Sequence, residues 1–469
     1  MKPFKYKFKT KPDQHQVEAL KHAIVHRKYG IFFQQRVGKT KVAIDFCGVM
    51  KQAEDLKKVI IVSPLSVREE WGTQIDEHLS LDLDYNFYLY PDNKNKRKEL
   101  IQDNLDPEDL TFIAINYDKL RNEVPNLKDW EPDILIFDES HLIKNHSSKR
   151  SKASYRLSKG VDNVLLLTGT PIPKNWYDIF AQFRTMNASI FGHRWTDFKR
   201  KYCIMGGYMG KEIVGCTDSD YIADTMGEHS IRVLRKDVFD EPKVEHITIP
   251  VTLEPKAYKT YKELKQTFVA ELDLGTSITA DMAGVRLMRL QQLCGGFIKN
   301  DEDEIINISN AKLKTLVDLV TTQTEGNEPV VIFHRYRAEG DAIVEKLRSK
   351  KLKVAEFNGS VSEDDRKIAR DKFQKGKLDA IVIQISTGAM GITLDRSHIN
   401  IFYSLDFSLS NYLQARDRVM GRNQKNDVTN YYLAASKTVD YKVIKTLQKD
   451  EDIASAIADK WRWFMDEEE

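Results

Sequence analysis

A glycine, a lysine and a threonine follow one another shortly after an apolar run near the amino terminus. The run, residues 31–33, predicts a strand, and Gly38, Lys39 and Thr40 open the segment behind it. This order predicts a phosphate-binding loop, because a glycine lets the backbone approach closely and the first N–H groups of a helix face an anion. Lys39 would then reach the outer phosphates of a nucleotide, and the Thr40 hydroxyl would bind Mg²⁺. An ordinary strand-to-helix turn is the alternative interpretation.

Two adjacent carboxylates, Asp138 and Glu139, follow another apolar run at residues 134–137. Carboxylates at the end of a buried strand are costly in free energy unless they face a cation or water. In a nucleotide site Asp138 would hold Mg²⁺, and Glu139 would orient and deprotonate the water that attacks the terminal phosphate. A purely structural pair of carboxylates is the alternative.

Three arginines, Arg416, Arg418 and Arg422, lie close together near the carboxyl terminus. Phosphoryl transfer needs positive charge where negative charge develops in the transition state, and an arginine from another domain often supplies it. On a helix, Arg418 and Arg422 would lie four residues apart on one face. They are therefore predicted to be arginine fingers, with a solvated basic helix as the alternative.

Two series of short apolar runs would position these groups. Each run is typical of a strand, and amphipathic segments typical of helices separate the runs. The pattern predicts parallel sheets with both faces covered, in which ligands bind at the carboxyl ends of the strands. The predicted fold class is therefore α/β, with two sheets in tandem. The predicted strands are residues 31–33, 59–62, 112–115, 134–137 and 164–167 in the first series, and 330–333, 354–357, 380–383, 399–403 and 431–433 in the second.

The composition is that of a globular protein with more than one domain. The chain has 469 residues, of which 41% are hydrophobic and 30% charged. A single core rarely grows beyond about 250 to 300 residues, so two or three domains are expected. The net charge of +2 leaves nucleic-acid binding to a local basic groove. No apolar run approaches the roughly 18 residues of a membrane span and no signal-peptide core is seen, so an intracellular, cytoplasmic protein without membrane contact is expected.

The four cysteines, Cys47, Cys203, Cys216 and Cys294, are scattered and include no CxxC pair. They therefore indicate neither a disulfide framework nor a zinc site. His193 precedes Cys203 and Cys216, but the spacing of these three residues matches no common set of metal ligands. All four cysteines are expected to be buried thiols.

The order of the motifs resembles that of a Swi/Snf-type ATPase of helicase superfamily two. The resemblance runs from about residue 12 to about residue 450, and it implies two tandem RecA-like lobes. The first lobe would be residues 1–240, with a helical and hairpin insertion at about 176–235. The second would be residues 241–469, with interlobe helices and a carboxyl-terminal helix. The motifs that carry the resemblance are Gln16, GKT, SPLSVREEW, DESH, LLLTGTPIPKN, VIFHRYR, FNGSVSEDDR, STGAMGITL and QARDRVMGR.

The resemblance implies ATP and Mg²⁺ as cofactors and a role for each matching residue. The implied catalytic residues are Lys39, Asp138, Glu139, Arg418 and Arg422. The implied nucleotide-binding residues are Gln16, which would read adenine, with Gly38, Lys39, Thr40 and Gln414, and the metal would lie on Thr40 and Asp138. The residues implied to couple hydrolysis to lobe movement are Thr168 and Thr170, and those implied to line a nucleic-acid track are Ser63, Ser66, Asn116, Tyr117, Asn358, Ser386 and Thr387.

Three positions leave alternatives open. Arg36 stands where the family usually has a glycine, so either the loop has another shape or Arg36 contacts phosphate. The family spaces its two arginines three residues apart, so either Arg422 is a shifted second finger or Gly421 takes that place. Ser63 or Ser66 could instead cap the helix that follows.

The function implied by the resemblance is that of an ATP-dependent DNA helicase or translocase that unwinds or branch-migrates forked DNA. The expected partners are DNA and proteins of replication or recombination, with the chain working as a monomer. Two alternatives stay open: a double-strand translocase that acts as the motor of a larger complex, and an ATP-gated nucleic-acid clamp. RNA stays open as a substrate. Tyr208 or Met209, in a glycine-flanked turn, would contact DNA or form a plain surface hairpin.

Overall fold

The chain divides into two units, Met1–Glu241 and Pro242–Glu469. The carboxyl-terminal helix expected from the sequence lies outside the residues that are described, as do Tyr208, Met209 and Arg422. The computed structural model describes residues 6–172, 175–207, 210, 212–240, 242–273, 280–299, 304–387, 394–421 and 424–449.

The first unit alternates strands and helices along most of its length. Its strands are β1 (Lys28–Phe33), β2 (Lys58–Ser63), β3 (Tyr85–Leu89), β4 (Leu110–Asn116), β5 (Ile134–Asp138), β6 (Asn163–Leu167), β7 (Cys203–Gly206), β8 (Glu212–Cys216) and β9 (Ser230–Val233). Its helices are α1 (Gln14–His26), α2 (Lys39–Glu54), α3 (Glu70–His78), α4 (Lys94–Asp103), α5 (Tyr117–Asp129), α6 (Lys149–Ser158), α7 (Ile179–Met186), α8 (Ala188–Phe191), α9 (Trp195–Tyr202) and α10 (Ser219–His229).

A seven-stranded parallel sheet forms the centre of the first unit. The strand order is β3-β4-β2-β5-β6-β1-β9, and every pairing is parallel. The carboxyl ends of all seven strands therefore lie along one edge of the sheet. The five strands predicted from the sequence for this unit are confirmed, and β3 and β9 extend the sheet at its two sides.

Both faces of this sheet are buried. In β2, Ile60 and Val62 contact one apolar cluster, whereas Val59 and Ile61 contact another. Successive side chains of a strand point to opposite faces, so an unbroken apolar run supplies both clusters at once. This is the physical reason that the predicted strands were near-continuous apolar runs.

The described part of the segment behind β6 contains helices and the antiparallel pair β7–β8. Side chains of α7 to α10 and of both strands contribute to one apolar cluster or pack against it. An irregularity in the pairing occurs between Ile204 and Met205. Ile204 and Val214 are 47% and 59% exposed, so the hairpin presents apolar side chains on its outer face.

The second unit holds another parallel sheet. Its strands are β10 (Val244–Val251), β11 (Phe297–Lys299), β12 (Ile305–Asn307), β13 (Val330–His334), β14 (Val354–Phe357), β15 (Ala380–Gln384), β16 (Ile399–Phe402) and β17 (Val428–Ala435). Its helices are α11 (Pro255–Asp273), α12 (Ala280–Cys294), α13 (Ala311–Glu325), α14 (Arg337–Ser349), α15 (Glu363–Gln374), α16 (Leu409–Arg416) and α17 (Val439–Gln448).

The six strands of this second sheet follow the order β10-β17-β16-β13-β15-β14 and are parallel throughout. The five predicted strands are confirmed, and the short antiparallel pair β11–β12 stands apart from the sheet. Two tandem parallel sheets with flanking helices are the RecA-like architecture that the sequence implied. Among the described helices, none is both long and apolar enough to cross a bilayer.

Candidate active site

The predicted nucleotide-binding groups of the first unit follow three neighbouring strands. The loop before Lys39 comes after β1, Asp138 ends β5, and Thr168 comes directly after β6. The order β5-β6-β1 makes these strands adjacent, and Asp138 pairs with Leu167, the last residue of β6. The fold therefore brings together residues about one hundred positions apart in the sequence.

The loop between β1 and α2 has an unusual backbone. Gly38 has φ of 91°, and Arg36 has φ of 66°, which is also in the left-handed region. A side chain at Gly38 would place its Cβ 2.1 Å from Gln16 Nε2. Glycine is therefore required at position 38, while the arginine at position 36 adopts a conformation that glycine would adopt at less cost in free energy.

Gln16 is tied to this loop. It is buried in α1, its Oε1 accepts a hydrogen bond from the Asp13 backbone N–H at 3.0 Å, and its Nε2 donates to the Val37 carbonyl at 3.2 Å. His15 Nε2 also lies 3.0 Å from the Val37 carbonyl oxygen. Gln16, which was predicted to read adenine, thus also holds the phosphate-binding loop in place through the Val37 carbonyl. The sequence did not reveal this second role.

Lys39 and Thr40 form the first turn of α2. The Lys39 side chain is 7% exposed, and its Nζ donates to the Phe33 carbonyl at 3.2 Å. A neutral carbonyl is a weaker partner for an ammonium group than a phosphate oxygen is. Thr40 is half-buried beside it. Both residues therefore lie at the positive end of a sixteen-residue helix, where an anion is stabilised.

Asp138 is held by three hydrogen bonds. Trp71 Nε1 donates to its Oδ2 at 3.1 Å, and the Glu139 backbone N–H donates to its Oδ1 at 2.9 Å. The Tyr117 hydroxyl donates to its backbone carbonyl at 2.7 Å. Both carboxylate oxygens therefore have a fixed direction before any ligand is bound.

Glu139 lies in the left-handed region, with φ of 48°. Gln35 Nε2 donates to Glu139 Oε1 at 3.0 Å, and His141 Nδ1 lies 3.2 Å from Glu139 Oε2. The same His141 nitrogen lies 3.1 Å from the hydroxyl oxygen of Thr168. Gln35 thus joins the phosphate-binding loop to the carboxylates, and His141 joins the carboxylates to the residue that follows β6.

The two carboxylates have opposite pKa shifts. Burial raises the pKa of Asp138 above its usual value, the charge of Glu139 adds to the rise, and the Lys39 ammonium opposes it. Burial also acts to raise the pKa of Glu139, but the hydrogen bond and charge of His141, with Lys39 and Gln35, outweigh it and lower that pKa below its usual value. Glu139 is therefore ionised at neutral pH. A cation at Asp138 would lower the pKa of its carboxyl.

The oxygen atoms at this site fit Mg²⁺. Asp138 and Thr40 offer hard oxygen donors, and Mg²⁺ characteristically takes one or two protein oxygens and completes its shell with water and phosphate. Within the described part of the chain, no group of three or more His, Cys, Asp or Glu side chains is arranged to hold a metal ion by itself. The site therefore suits a metal that arrives with a nucleotide.

The residues predicted to contact nucleic acid in the first unit lie one strand further along the sheet. Ser63 and Asn116 end β2 and β4 and are direct partners in the pairing of these strands. Ser63 is fully buried. Asn116 caps α5, since its side chain accepts a hydrogen bond from the Lys119 N–H at 2.8 Å. Of the two predicted coupling residues, Thr170 donates its N–H to the Thr168 hydroxyl at 3.1 Å. Ser66 lies inside the 3₁₀ turn Leu65–Val67, so its backbone is not at the N-cap position of a helix.

Tyr117 lies in the interior of the first unit. It is 2% exposed, and its hydroxyl donates a hydrogen bond to the Asp138 carbonyl. Tyr117 is therefore an interior residue that supports Asp138, and its contact with nucleic acid stays a prediction, as does that of the fully buried Ser63. Position in the motif, rather than exposure, had suggested the contact.

The site residues of the second unit follow its own strands. Asn358 comes after β14 and is 4% exposed; its Oδ1 accepts from the Ser360 N–H at 2.9 Å, which closes a turn. Ser386 is exposed after β15, and the backbone of Thr387 completes the same 3₁₀ turn. Gln414 is half-buried on α16.

Arg418 does not lie on a long helix. Helix α16 ends at Arg416, and Arg418 lies in the 3₁₀ turn Asp417–Val419, where its carbonyl accepts from the Leu394 N–H at 2.9 Å. Its side chain is 9% exposed. Arg418 therefore lies beyond the end of α16, Arg422 lies outside the described residues, and the assignment of both as arginine fingers stays a prediction.

Trp71 and Gln35 were not predicted as site residues. Trp71 closes the SPLSVREEW segment and Gln35 lies inside the phosphate-binding loop, so both stood within recognised motifs. Their contacts with Asp138 and Glu139 join segments 67 and 104 residues apart. A local sequence pattern cannot predict contacts between segments so far apart in the chain.

Two families match the chain. The SNF2-related domain matches residues 15–296, which is more than half of the chain, and the helicase conserved C-terminal domain matches residues 311–423. These ranges contain the site residues of the first and the second unit respectively.

Curated relatives agree with these matches. A SWI/SNF-related matrix-associated actin-dependent regulator of chromatin subfamily A-like protein 1 homolog of Caenorhabditis elegans is 23% identical over 92% of the chain and 61% of its own length. The ISWI chromatin-remodeling complex ATPase ISW1 of Saccharomyces cerevisiae is 25% identical over 87% of the chain and 37% of its own length. The ATP-dependent DNA helicase DDM1 of Arabidopsis thaliana is 23% identical over 88% of the chain and 57% of its own length.

The chain thus spans between 37 and 61% of the length of these relatives. Among solved structures, the Sulfolobus solfataricus SWI2/SNF2 ATPase core in complex with dsDNA is 20% identical, covers 98% of this chain and 96% of its own, and has a TM-score of 0.45. By the match of the SNF2-related domain to more than half of its residues, the chain belongs to the SNF2-related family, the Swi/Snf-type ATPases of helicase superfamily two.

Proposed function

We propose that this chain is a DNA-stimulated ATPase that moves along DNA and unwinds or branch-migrates forked DNA. One observation carries the proposal: Gln35 joins the phosphate-binding loop to Glu139, which lies beside Asp138. Lys39 is also close enough to both carboxylates to lower their pKa values. This arrangement provides the groups that hydrolysis of a nucleoside triphosphate requires.

Each site residue of the first unit has its own proposed role in hydrolysis. Lys39 exchanges the Phe33 carbonyl for a phosphate oxygen, and the first N–H groups of α2 bind the same phosphates. Mg²⁺ held by Asp138 and Thr40 would supply positive charge to the reacting phosphate. Glu139, ionised and fixed by Gln35 and His141, orients the attacking water and accepts its proton.

His141 connects the reacting centre to the segment behind β6. Its Nδ1 lies between Glu139 and Thr168, and the Thr168 hydroxyl accepts from the Thr170 N–H. A change in the charge or position of Glu139 during hydrolysis therefore reaches this segment through direct contacts. Thr168 and Thr170 are proposed to couple hydrolysis to movement in this way.

In the second unit, Arg418 is proposed to supply positive charge to the transition state, and Gln414 to contact the nucleotide. Both residues lie within the range matched by the helicase conserved C-terminal domain, and these are the roles that the resemblance of the motifs implies. Gly421 or Arg422 would provide the second position of this motif.

DNA is the proposed substrate because relatives are named for it: one is an ATP-dependent DNA helicase and another a chromatin-remodeling ATPase. Ser63, Ser66, Asn116, Asn358, Ser386 and Thr387 are the proposed contacts. Hydroxyl and amide groups bind the phosphate backbone irrespective of sequence, which suits a motor that moves along DNA.

The substrate is tested by steady-state ATP hydrolysis with single-stranded DNA, blunt duplex, forked DNA, four-way DNA and RNA. Strongest stimulation by forked or four-way DNA, followed by strand displacement, is the expected result. Equal stimulation by blunt duplex would contradict unwinding and support a double-strand translocase. A wild type that binds ATP and DNA without turnover would instead identify a clamp.

A further inference from the structure

Asp138 is held from two segments that do not belong to the phosphate-binding loop. Trp71 Nε1 donates to its Oδ2 at 3.1 Å, and the Tyr117 hydroxyl donates to its carbonyl at 2.7 Å. Trp71 and Tyr117 are each 2% exposed. One donor therefore fixes the side chain of Asp138 and the other fixes its backbone.

The two donors come from the segments proposed to bind DNA. Tyr117 directly follows Asn116, and Trp71 lies on α3, eight residues after Ser63. Ser63 and Asn116 are paired at the ends of β2 and β4, and β2 in turn neighbours β5, which ends in Asp138. The proposed DNA contacts and the donors to Asp138 are thus parts of the same two short segments.

We propose that Trp71 and Tyr117 are positioning residues that relay DNA binding at these segments to Asp138. The relay rests on the proposed function, since it requires DNA on the two segments that begin at Ser63 and Asn116. Mg²⁺ demands nearly ideal octahedral geometry, so a small displacement of its carboxylate ligand changes the affinity for the metal–nucleotide complex. DNA that fixes both segments therefore fixes Asp138 in its productive position.

A merely structural role predicts something different. A buried carboxylate needs hydrogen-bond donors in any case, and loss of a donor would then lower stability alone. A relay predicts in addition that DNA and nucleotide no longer affect each other's binding. Because coupling between two ligands is reciprocal, it can be measured at equilibrium without turnover.

The test uses Tyr117→Phe, which removes only a hydroxyl group, and Trp71→Phe, which removes the indole donor. Two matched controls lose a buried donor elsewhere in the same unit. Trp130 Nε1 donates to the Asn104 carbonyl at 2.6 Å, and the Tyr90 hydroxyl donates to Glu123 at 2.8 Å. The controls are therefore Trp130→Phe and Tyr90→Phe.

For each full-length variant, the Kd of a fluorescent non-hydrolysable ATP analogue with Mg²⁺ is measured with and without single-stranded DNA, alongside the Kd for DNA and the Tm. The wild type is expected to show a coupling factor of at least about fivefold, the lower end of typical allosteric coupling. Tyr117→Phe and Trp71→Phe should bring the factor close to one, whereas the controls keep it. The ratio of DNA-stimulated to basal turnover should fall in parallel.

The outcomes separate the relay from the proposed function. If DNA stimulates the wild type and Tyr117→Phe retains the full coupling factor, the relay is wrong and the proposed function stands. If DNA changes neither turnover nor nucleotide affinity in the wild type, the proposed function fails and the relay with it. If the controls lose coupling as much as the two variants do, the effect is one of general stability and the relay is also wrong.

A second, independent inference concerns the hairpin β7–β8. Cys203 lies directly opposite Cys216, and both side chains pack on the same apolar cluster. The adjoining pair is hydrogen-bonded, with the Thr217 N–H donating to the Tyr202 carbonyl at 2.9 Å. The cysteines therefore form a non-hydrogen-bonded pair, whose Cα atoms lie about 4.5 Å apart in sheets, within the range that disulfides span.

The geometry points to a reversible disulfide between Cys203 and Cys216, formed by a peroxide. Cys216 is half-buried, contrary to the expectation of four buried thiols, and Cys203 is buried. Burial raises the pKa of Cys203 to about 11, so the more accessible Cys216 reacts first. Its thiolate attacks the peroxide to give a sulfenic acid and water; the Cys203 sulfur then displaces a second water as the S–S bond forms.

The test treats the full chain with hydrogen peroxide and maps the peptides by mass spectrometry before and after a thiol reductant. A Cys203–Cys216 crosslink that the reductant reverses is the expected product, and Cys203→Ser should leave sulfenic acid at Cys216. The buried Cys47 and Cys294 serve as internal controls and should stay reduced. Over-oxidation of Cys216 in the wild type with no crosslink would overturn the inference.

Discussion

At the scale of single residues, Gly38 meets two constraints that a side chain would violate. Its φ is 91°, and a Cβ would lie 2.1 Å from Gln16 Nε2. Gly38→Ala should therefore weaken ATP binding about tenfold, because either the loop or Gln16 must move at a cost of about 1–2 kcal/mol. Titration with a fluorescent ATP analogue measures this loss.

Gly160→Ala is the matched control. Gly160 has a similar φ of 89°, but no atom lies within 4 Å of a Cβ added there. It should lose about 1–2 kcal/mol of stability through backbone strain and retain ATP binding. Equal effects of the two variants on ATP affinity would contradict the role of the Gln16 contact.

Glu339 gives a prediction about pH. Burial raises the pKa of its carboxyl to about 7, against the opposing effects of Ser404 and Lys312. The folded state therefore holds a proton that the unfolded state releases above its pKa of 4.5. The free energy of unfolding should fall as pH rises from 4.5 towards 7, by about 3 kcal/mol at most from this group.

Glu339→Gln should remove most of this pH dependence and stabilise the protein at pH 8, because Glu339 Oε2 only accepts hydrogen bonds from Arg335, Tyr336 and Ser404. Glu345→Gln, at an exposed position of the same helix, is the control. Urea denaturation at pH 5 and pH 8 compares them. Identical pH profiles for both variants would show that Glu339 is ionised in the folded state at pH 5 as well.

The sequence predicted the residues whose chemistry is local. Lys39, Asp138 and Glu139 could be named because each follows an apolar strand within a short motif. Trp71 and Gln35 could not, because their partners are supplied by distant strands. The interior position of Tyr117 could not be predicted either, because burial of a single aromatic residue is a property of the folded sheet.

At the scale of elements, a buried ion pair joins α13 to α17. Lys312 Nζ lies 2.6 Å from Asp440 Oδ2, with the two side chains 2% and 4% exposed. Lys312→Met should destabilise the second unit by about 3–5 kcal/mol, because it leaves a buried carboxylate without its counter-charge. Chemical denaturation measures the loss.

Adding Asp440→Asn to Lys312→Met should restore part of this stability, since the uncompensated charge is then gone. Lys51→Met is the control, because Asp55, its partner at 2.6 Å, is 69% exposed. Such a pair contributes about 0–1 kcal/mol. A loss in Lys312→Met no larger than in this control would contradict the account.

The central strands were predictable, whereas of the four edge strands only β14 was predicted and β3, β9 and β10 were not. Strands buried on both faces, such as β2 and β13, consist of unbroken apolar runs. By contrast, β3 is half-buried along its whole length, and the first three residues of β10 are exposed. Edge strands need fewer apolar residues, so their sequences resemble loops. The end of α16 was missed because no glycine or proline marks it.

At the scale of the whole molecule, two parallel sheets of the same class lie in tandem along the chain, each with its own core. The repetition of strand–motif pairs was visible in the sequence and led to the family. The chain spans only part of its relatives' length, so the activities of the longer relatives are not carried over to it. The activity proposed here is to be measured on this chain.

The most direct test of the central claim is ATP hydrolysis by the wild type, Lys39→Ala and Glu139→Gln, with and without single-stranded DNA. DNA should raise the turnover of the wild type. Glu139→Gln should bind ATP and lose turnover by about 10²–10⁴-fold, as expected for loss of a general base, while Lys39→Ala loses ATP binding as well. A wild type that binds ATP yet hydrolyses it no faster than Glu139→Gln, with or without DNA, would contradict the account.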